Sequence, residues 1–499
     1  GKGASACQTC GRFLLPSSRF VCERKLPRSN GMKRRLAFLL ACVLVLGVFS
    51  ALFAACAKED GKKEEGQNQN KAEFVYEGLT STGDEENKFA VQYSMEKFTD
   101  SQNREYTEIQ VFKQDKSLDS VWLLLPQGVD SVKVTSAEGN VSGGAEKTVN
   151  FMTWQDRQNI MVSSASTMSL INALGALDRV PMTTADTTWR IQEIKDAIED
   201  GTITEVGKYS APDYELILSI GEQKKVSFVV FSTMLDSVPD VEEQLTQTCG
   251  LRVMRDQSNY EGHPLGRTEW IKVYGEIFDM REEADSVFAA QVDILNDTLK
   301  KNGDIKDEEK KTVLIFYTTS SKETFYVRNA ADYVTELVNL AGGKQVTLIG
   351  EGQSGNTKMS QEAFIATCSG ADYVLYNWTS GASGVSDQTM QGLLDARLGD
   401  WFKQFKAYQD GNVWRTSDDF YQKTDKMGEM VADIYRMLYD PETPDTLTYV
   451  NRLSEGDREV DETPKENGAI LFAVVGGIAV LLAAAVVVVV MVYKKKKTN

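Results

Sequence analysis

Histidine is nearly missing from this 499-residue chain: His263 stands alone. Zinc, manganese and iron centres built from side chains lean on imidazole or thiolate, so this scarcity all but excludes a multi-histidine metal site. Cysteine is little help. Of Cys7, Cys10, Cys22, Cys42, Cys56, Cys249 and Cys368, only the last two fall in the body of the chain, so no disulfide framework is available, and the Cys7-x-x-Cys10 pair has no second pair at zinc-ribbon spacing. Clustered positive charge is lacking in the body too. With 55 Lys and Arg against 72 Asp and Glu, the net charge is −17, which argues against a phosphate-backbone partner and for solubility. The catalytic signatures are missing as well. There is no glycine-rich phosphate loop with Lys and Ser/Thr, no G-x-S-x-G elbow and no H-E-x-x-H. A Ser-His-Asp set would have to use His263, which precedes Pro264 and reads as structural. What is present, 42% hydrophobic and 25% charged residues, suits a folded protein of two or more domains with added segments.

Those added segments lie at the ends. Residues 1–31 read as upstream of the start or non-native, with Met32 the better start. Residues 32–56 carry Lys33, Arg34 and Arg35, then an apolar run, then Leu52-Phe53-Ala54-Ala55-Cys56, the pattern of a signal peptide with a lipobox. Cys56 is thus expected to be the lipid anchor, with Phe53 standing where Leu is more usual. Residues 57–71 are a polar tether. At the other end 446–468 is a charged linker, and 469–493 is an apolar run without a charge, long enough to cross a bilayer core of ~30 Å. The lysines in 494–499 place that tail in the cytoplasm. The expectation is a body held on the extracytoplasmic face of the cell membrane of a single-membrane bacterium.

Between these ends the stretch 264–301 organises the body. Apolar residues recur at Ile271, Tyr274, Ile277 and Phe278, then at Ala284, Phe288, Val292, Leu295 and Leu299, the steps of a helix with one buried face. Asp279 with Glu282 reads as a capping box that starts a second, longer helix. Before the bridge, 88–141 alternates in the β manner and reads as hairpins opening the first lobe; thereafter strands and helices alternate on both sides of the bridge. The predicted fold is α/β: an N-terminal lobe at 72–279, an interlobe helix at 280–301 and a C-terminal lobe at 302–445, with mainly parallel sheets. Each lobe also carries an acidic residue, Glu215 or Glu362, in the first turn of a helix before a strand, a position that the helix dipole alone favours.

His263-Pro-Leu-Gly-Arg-Thr-Glu-Trp270 with Tyr274-Gly275, Gly207-Lys-Tyr-Ser-Ala-Pro-Asp-Tyr-Glu215, Asp332-Tyr-Val to Ala341-Gly-Gly343 and Met427-Gly-Glu-Met-Val-Ala-Asp-Ile434 together resemble the substrate-binding proteins of bacterial ABC importers for iron chelates, haem and cobalamin. The resemblance covers about residues 88–442 and implies two lobes joined by one rigid helix, a ligand held between them, and delivery to an ABC permease driven by its ATPase. It implies that Glu215 and Glu362 dock onto the permease. It implies no catalysis and no cofactor, and a small-molecule metal chelate or tetrapyrrole as the partner. In open α/β sheets ligands sit at the C-terminal strand ends. Those ends offer Ser164, Ser166 and Thr167; Thr233 and Met234; Thr319; and Asn377 and Trp378. Trp189, Trp414 and Tyr421 add flat faces, and Arg328 could answer a carboxylate. For each aromatic, core packing is the competing reading. A membrane-tethered receptor or relay not coupled to transport, and an enzyme acting on the same chelates, are the other function classes.

Overall fold

The computed structural model describes residues 71–138, 149–184, 189–303, 305–318, 323–377 and 389–453, all within one compact unit. The signal segment with Cys56, the apolar run 469–493, Thr319 and Trp378 lie outside the described residues. Among those described, no helix is long and apolar enough to cross a membrane.

The body opens with a sheet of its own. Strands β1 (Leu79–Glu85), β2 (Tyr93–Asp100), β3 (Glu105–Phe112) and β4 (Leu118–Leu124) form an antiparallel meander, and β5 (Val149–Met152) adds parallel to β4. One face packs into the main core, where Trp122 lies 6.2 Å from Phe228, and the other is covered by the short ribbon that Glu73–Tyr76 makes with Val134–Glu138. The hairpins expected at 88–141 thus form a sheet separate from the parallel one. They pack against it.

The parallel sheet of the first lobe has the order β8 (Thr204–Glu205), β7 (Met182–Thr183), β6 (Met161–Ser163), β9 (Phe228–Ser232), β10 (Arg252–Asp256). Every pairing in it is parallel, and β9 at its centre is wholly buried, as an unbroken Phe-Val-Val-Phe run requires. Helices α1 (Ala165–Ala173), α2 (Gln192–Glu199) and α3 (Tyr214–Lys224) lie between its strands in sequence.

Three helices lead out of this lobe: α4 (Pro264–Glu269), α5 (Ile271–Phe278) and α6 (Arg281–Asn302). The break between the last two differs from the expected capping box. Asp279 has φ 61° and ψ 41°, a left-handed residue that ends α5, and Met280 N–H donates to the Gly275 carbonyl at 2.7 Å. An N-cap needs extended backbone, so Asp279 cannot start α6; it serves as the left-handed stop, a conformation Asp tolerates. The 22 residues of α6 span ~33 Å and bury Ala284, Phe288, Gln291, Val292, Leu295 and Thr298 along one face.

The second lobe is built on β11 (Thr312–Thr318), β12 (Thr324–Arg328), β13 (Lys344–Gln345), β14 (Asn356–Ser360), β15 (Tyr373–Tyr376), β16 (Val413–Thr416) and β17 (Val450–Arg452). Its order is β14-β12-β11-β15-β16-β17, with β13 beside β11. The pairs of β11 with β13 and β15, and of β15 with β16, are parallel, whereas β12, β14 and β17 pair antiparallel. The expected mainly parallel sheet is thus a mixed one. Only 319–323 separate β11 from β12, too short for a crossover helix, so the chain must return antiparallel. Helices α7 (Tyr333–Leu340), α8 (Gln361–Cys368) and α9 (Met427–Tyr439) complete the lobe.

A single hydrophobic cluster runs from Trp270 and Tyr274 through Phe288, Val292 and Leu295 of α6 to Leu337, Met430 and Ile434 of the second lobe. Helix α9 sits tightly on α6: the Gln291 side-chain oxygen accepts from Gly428 and Glu429 N–H at 3.0 and 3.2 Å, and a Cβ on Gly428 would lie 2.3 Å from the Gln291 carbonyl oxygen.

Candidate functional site

Because all strands of the first sheet run the same way, β6, β7, β9 and β10 deliver Ser164, Thr184, Thr233 and Gln257 to one edge. Segments beyond that edge meet the second lobe. Ser169 on α1 hydrogen-bonds Asp425, Arg190 N–H donates to the Gln422 side-chain oxygen at 2.8 Å, and the Thr268 hydroxyl donates to the Thr424 carbonyl at 2.8 Å. These are contacts across the lobe boundary. They frame the candidate site.

The second lobe supplies a polar and aromatic wall. Tyr317 on β11 and Tyr326 on β12 are register partners whose rings stack at 4.8 Å, 7° from parallel. Arg328, two residues on and therefore on the same sheet face, donates through Nη2 and Nε to Asn377 Oδ1 at 2.6 and 3.1 Å, and approaches Asp332 and the Tyr421 hydroxyl at 3.3 Å each. Burial works against the Arg328 charge, but Tyr421, Asp332 and Tyr333 more than offset it and leave its pKa above the ordinary value. Burial holds the Tyr421 phenol well above its usual range. Asn377 is only 1% exposed, and its Nδ2 has no partner among the described residues.

From the first lobe comes Arg267 on α4, a helix whose six residues are all buried. Its guanidinium lies 4.0 Å from the ring centre of Tyr333 on α7, and Nη2 donates to Asn259 Oδ1 at 2.9 Å. Asn259 Nδ2 in turn reaches the Thr233 hydroxyl at 3.4 Å. Arg267 and Arg328 both bear on Tyr333: burial raises that phenol's pKa and the two guanidiniums pull it back.

Of the residues singled out from sequence, Arg328, Asn377 and Tyr421 come together in one hydrogen-bonded group, and Thr233 is linked through Asn259 to Arg267. Ser164 is the N-cap of α1, accepting from Thr167 N–H at 3.2 Å, and Ser166 contacts Ser164. Thr167 is bonded to Asp256, as is Tyr274, so these hydroxyls stitch α1 to β10 and α5. Trp189 sits in the main core, its Nε1 without a partner among the described residues. Met234 is 47% exposed on the turn Thr233–Ser237. Trp414 has no accessible face: it is fully buried on β16 and covered by the Arg452 guanidinium at 4.6 Å. Glu215 and Glu362 are exposed in the first turns of α3 and α8, whose N-caps are Asp213 and Ser360. Sequence reasoning missed Arg267, Tyr333, Tyr317 and Tyr326. The available signal was an arginine in the Pro-led Pro-Leu-Gly-Arg-Thr-Glu segment at the start of the bridge.

Among the described residues no group of three or more His, Cys, Asp or Glu is placed to hold a metal ion. The site's chemistry is that of two guanidiniums, an amide donor and phenol rings: it can bind an anionic or flat polar molecule.

This architecture is an α/β body of separate sheets with a long helix, α6, between them in sequence. A family model described as "Periplasmic binding protein" matches residues 160–419, and the chain belongs to that family. Two uncharacterized lipoproteins of Methanocaldococcus jannaschii are similar, one 27% identical over 257 residues (50% of this chain, 56% of the relative) and one 26% identical over 252 (50% and 60%). The chain thus spans a little over half the length of these relatives. Among solved structures, an ABC transporter substrate-binding protein from Listeria monocytogenes aligns with TM-score 0.44 and 18% identity, covering 57% of this chain and 99% of that one. A periplasmic haem-binding protein from Pseudomonas aeruginosa aligns with TM-score 0.46 and 16% identity over 60% and 98%.

Proposed function

We propose that the chain is the extracytoplasmic solute-binding component of an ABC importer, which captures an iron chelate, haem or corrinoid between its lobes and delivers it to a membrane permease. The observation that carries this reading is the family match across 160–419, which takes in both lobes and the whole of α6. The convergence of Arg328, Asn377 and Tyr421 at the strand ends supports a ligand there. The lipoprotein relatives support tethering at the outer membrane face through Cys56. Binding, not catalysis, is the activity, and the ligand is cargo.

Glu215 and Glu362 fit the docking role because each stands exposed at a helix start, one per lobe, free to meet a permease arginine. In cells, Glu215→Ala with Glu362→Ala abolishes uptake while the purified double variant keeps its ligand affinity. Uptake that survives the double substitution contradicts importer docking and favours a receptor or relay.

A further inference from the structure

We infer that the opening sheet braces the bridge, with or without ligand: Glu85, Lys97 and Thr107, one from each of β1, β2 and β3, hold Glu276 of α5 and Arg281 of α6 on either side of the break at Asp279 and so fix the direction in which α6 runs. This sheet lies outside the matched segment 160–419. Its three bracing residues share one face: Lys97 is the register partner of Thr107, and its Nζ lies 3.8 Å from Glu85 Oε1. That face turns toward the main core, since Met95 and Ile109, two residues along from Lys97 and Thr107, belong to it.

Glu276 and Arg281 bracket the break. The Glu276 carboxylate pairs with Lys97 and accepts from the Thr107 hydroxyl and from Arg281 Nη1, each at 2.9 Å. The same Arg281 nitrogen donates to Glu85 at 2.6 and 2.8 Å, while Nε donates to Asp285, one turn along α6, at 3.0 Å. Arg157 adds a further tie, through Nη1 to the Glu276 carbonyl at 3.2 Å and through Nη2 to the Leu125 carbonyl just past β4 at 2.9 Å. Burial works against the Glu276 charge, but Lys97, Thr107 and Arg281 more than offset it and hold its carboxyl below the usual range. Half-buried, charge-assisted bonds of this kind resist opening better than surface ion pairs.

The joint needs such support because α6 is a lever. A rotation of about 10° at the break would move its far end, ~33 Å away, by about 6 Å. A Cβ on Gly275 would lie 2.6 Å from Ala284 Cβ, so α5 and α6 also touch. That contact limits how near the helices come, not how α6 swings sideways. Two backbone amides report the swing: Arg190 N–H on the Gln422 side-chain oxygen at 2.8 Å and Asp425 N–H on the Ser169 hydroxyl at 3.3 Å. Both bonds cross between the halves that α6 joins, and neither belongs to the opening sheet or the bridge.

The test is amide hydrogen exchange on the full chain in detergent, read by mass spectrometry at Arg190 and Asp425. Glu85→Gln with Lys97→Gln should speed exchange at both amides at least about tenfold, the effect of losing one charge-assisted hydrogen bond. Asp84→Asn with Glu96→Gln strips two charges from the same strands on the opposite face, where they pair with Lys71, and should leave both rates unchanged. If the first pair of substitutions prevents folding, Glu85→Gln alone, which leaves Lys97 on Glu276, carries the same expectation. Unchanged rates in the brace variant mean that the Gly275–Ala284 contact sets the direction of α6, and overturn the brace. Equal acceleration in both variants means general loosening of the sheet and overturns it as well.

Discussion

At the scale of single residues, two buried glutamates hold the N-terminal strands to the bridge. Glu269 accepts the backbone N–H groups of Lys88, Phe89 and Ala90, and Glu261 those of Val91 and Gln92, with the Trp270 indole N–H at 3.0 Å. The alternation of Phe89, Val91 and Tyr93 predicts a strand from Phe89, yet β2 begins only at Tyr93. The N–H groups that would have joined a ladder are taken by carboxylates some 170 residues further along the chain, a pairing no local pattern can reveal. Arg328 was legible only as a cation able to answer a carboxylate; the strand Thr324–Arg328 that carries it was not. Arg267 was hidden in the Gly-Arg-Thr-Glu start of the bridge, where no local pattern sets it apart, and Trp414 lies on a strand of four residues, too short to show its periodicity.

His263 lies beside this clamp. Its Nδ1 accepts from Leu265 N–H at 3.1 Å and its ring stacks on Phe89 at 4.2 Å. Burial lowers its pKa to about 4, while burial pushes Glu261 up to about 7. The signs are opposite. His263 binds its proton more readily when unfolded, so its contribution is complete above the unfolded value of about 6.5 and is lost as pH falls toward 4. Glu261 binds its proton more readily when folded, so its contribution is complete below about 4.5 and is lost as pH rises through 7. His263→Asn keeps a capping acceptor that cannot charge. Thermal denaturation between pH 7 and pH 4 should show the wild type losing stability relative to this variant on the acid side; parallel curves would contradict the assignment.

At the scale of elements, the short-then-long division of the bridge was readable from its apolar periodicity, but not how the break is made. Asp279 and Glu282 satisfy a capping pattern by residue type, whereas the backbone uses Asp279 to stop α5, and α4 is a separate helix capped by His263. Close packing was equally invisible. Gly428 reads as an ordinary weak point in α9, yet the spine carbonyl at Gln291 leaves no room for a Cβ. Gly428→Ala must push α9 off α6, which costs about 1–3 kcal/mol in urea denaturation despite Ala's better helix propensity. A neutral or stabilising result would mean the two helices are not held at this distance.

At the scale of the whole molecule, an α/β body with a long central helix followed from the order of strand and helix patterns, while the mixed second sheet and the separate opening sheet did not. One continuous core through α6 and α9 leaves little play between the lobes. A packed spine of this kind shears rather than hinges. Ligand should then change the radius of gyration in solution scattering by less than about 1 Å, as for pre-organised complexes, and a compaction of several ångströms would contradict it.

The central claim is that this body holds an anionic metal chelate or tetrapyrrole between its lobes. Purifying the full chain under native conditions and recording absorption and mass spectra of what stays bound tests it most directly. The account predicts one such molecule per chain, released unchanged on denaturation. A chain that emerges empty and stays empty when titrated with iron chelates, haem and corrinoids, or that turns its ligand over into product, would contradict it.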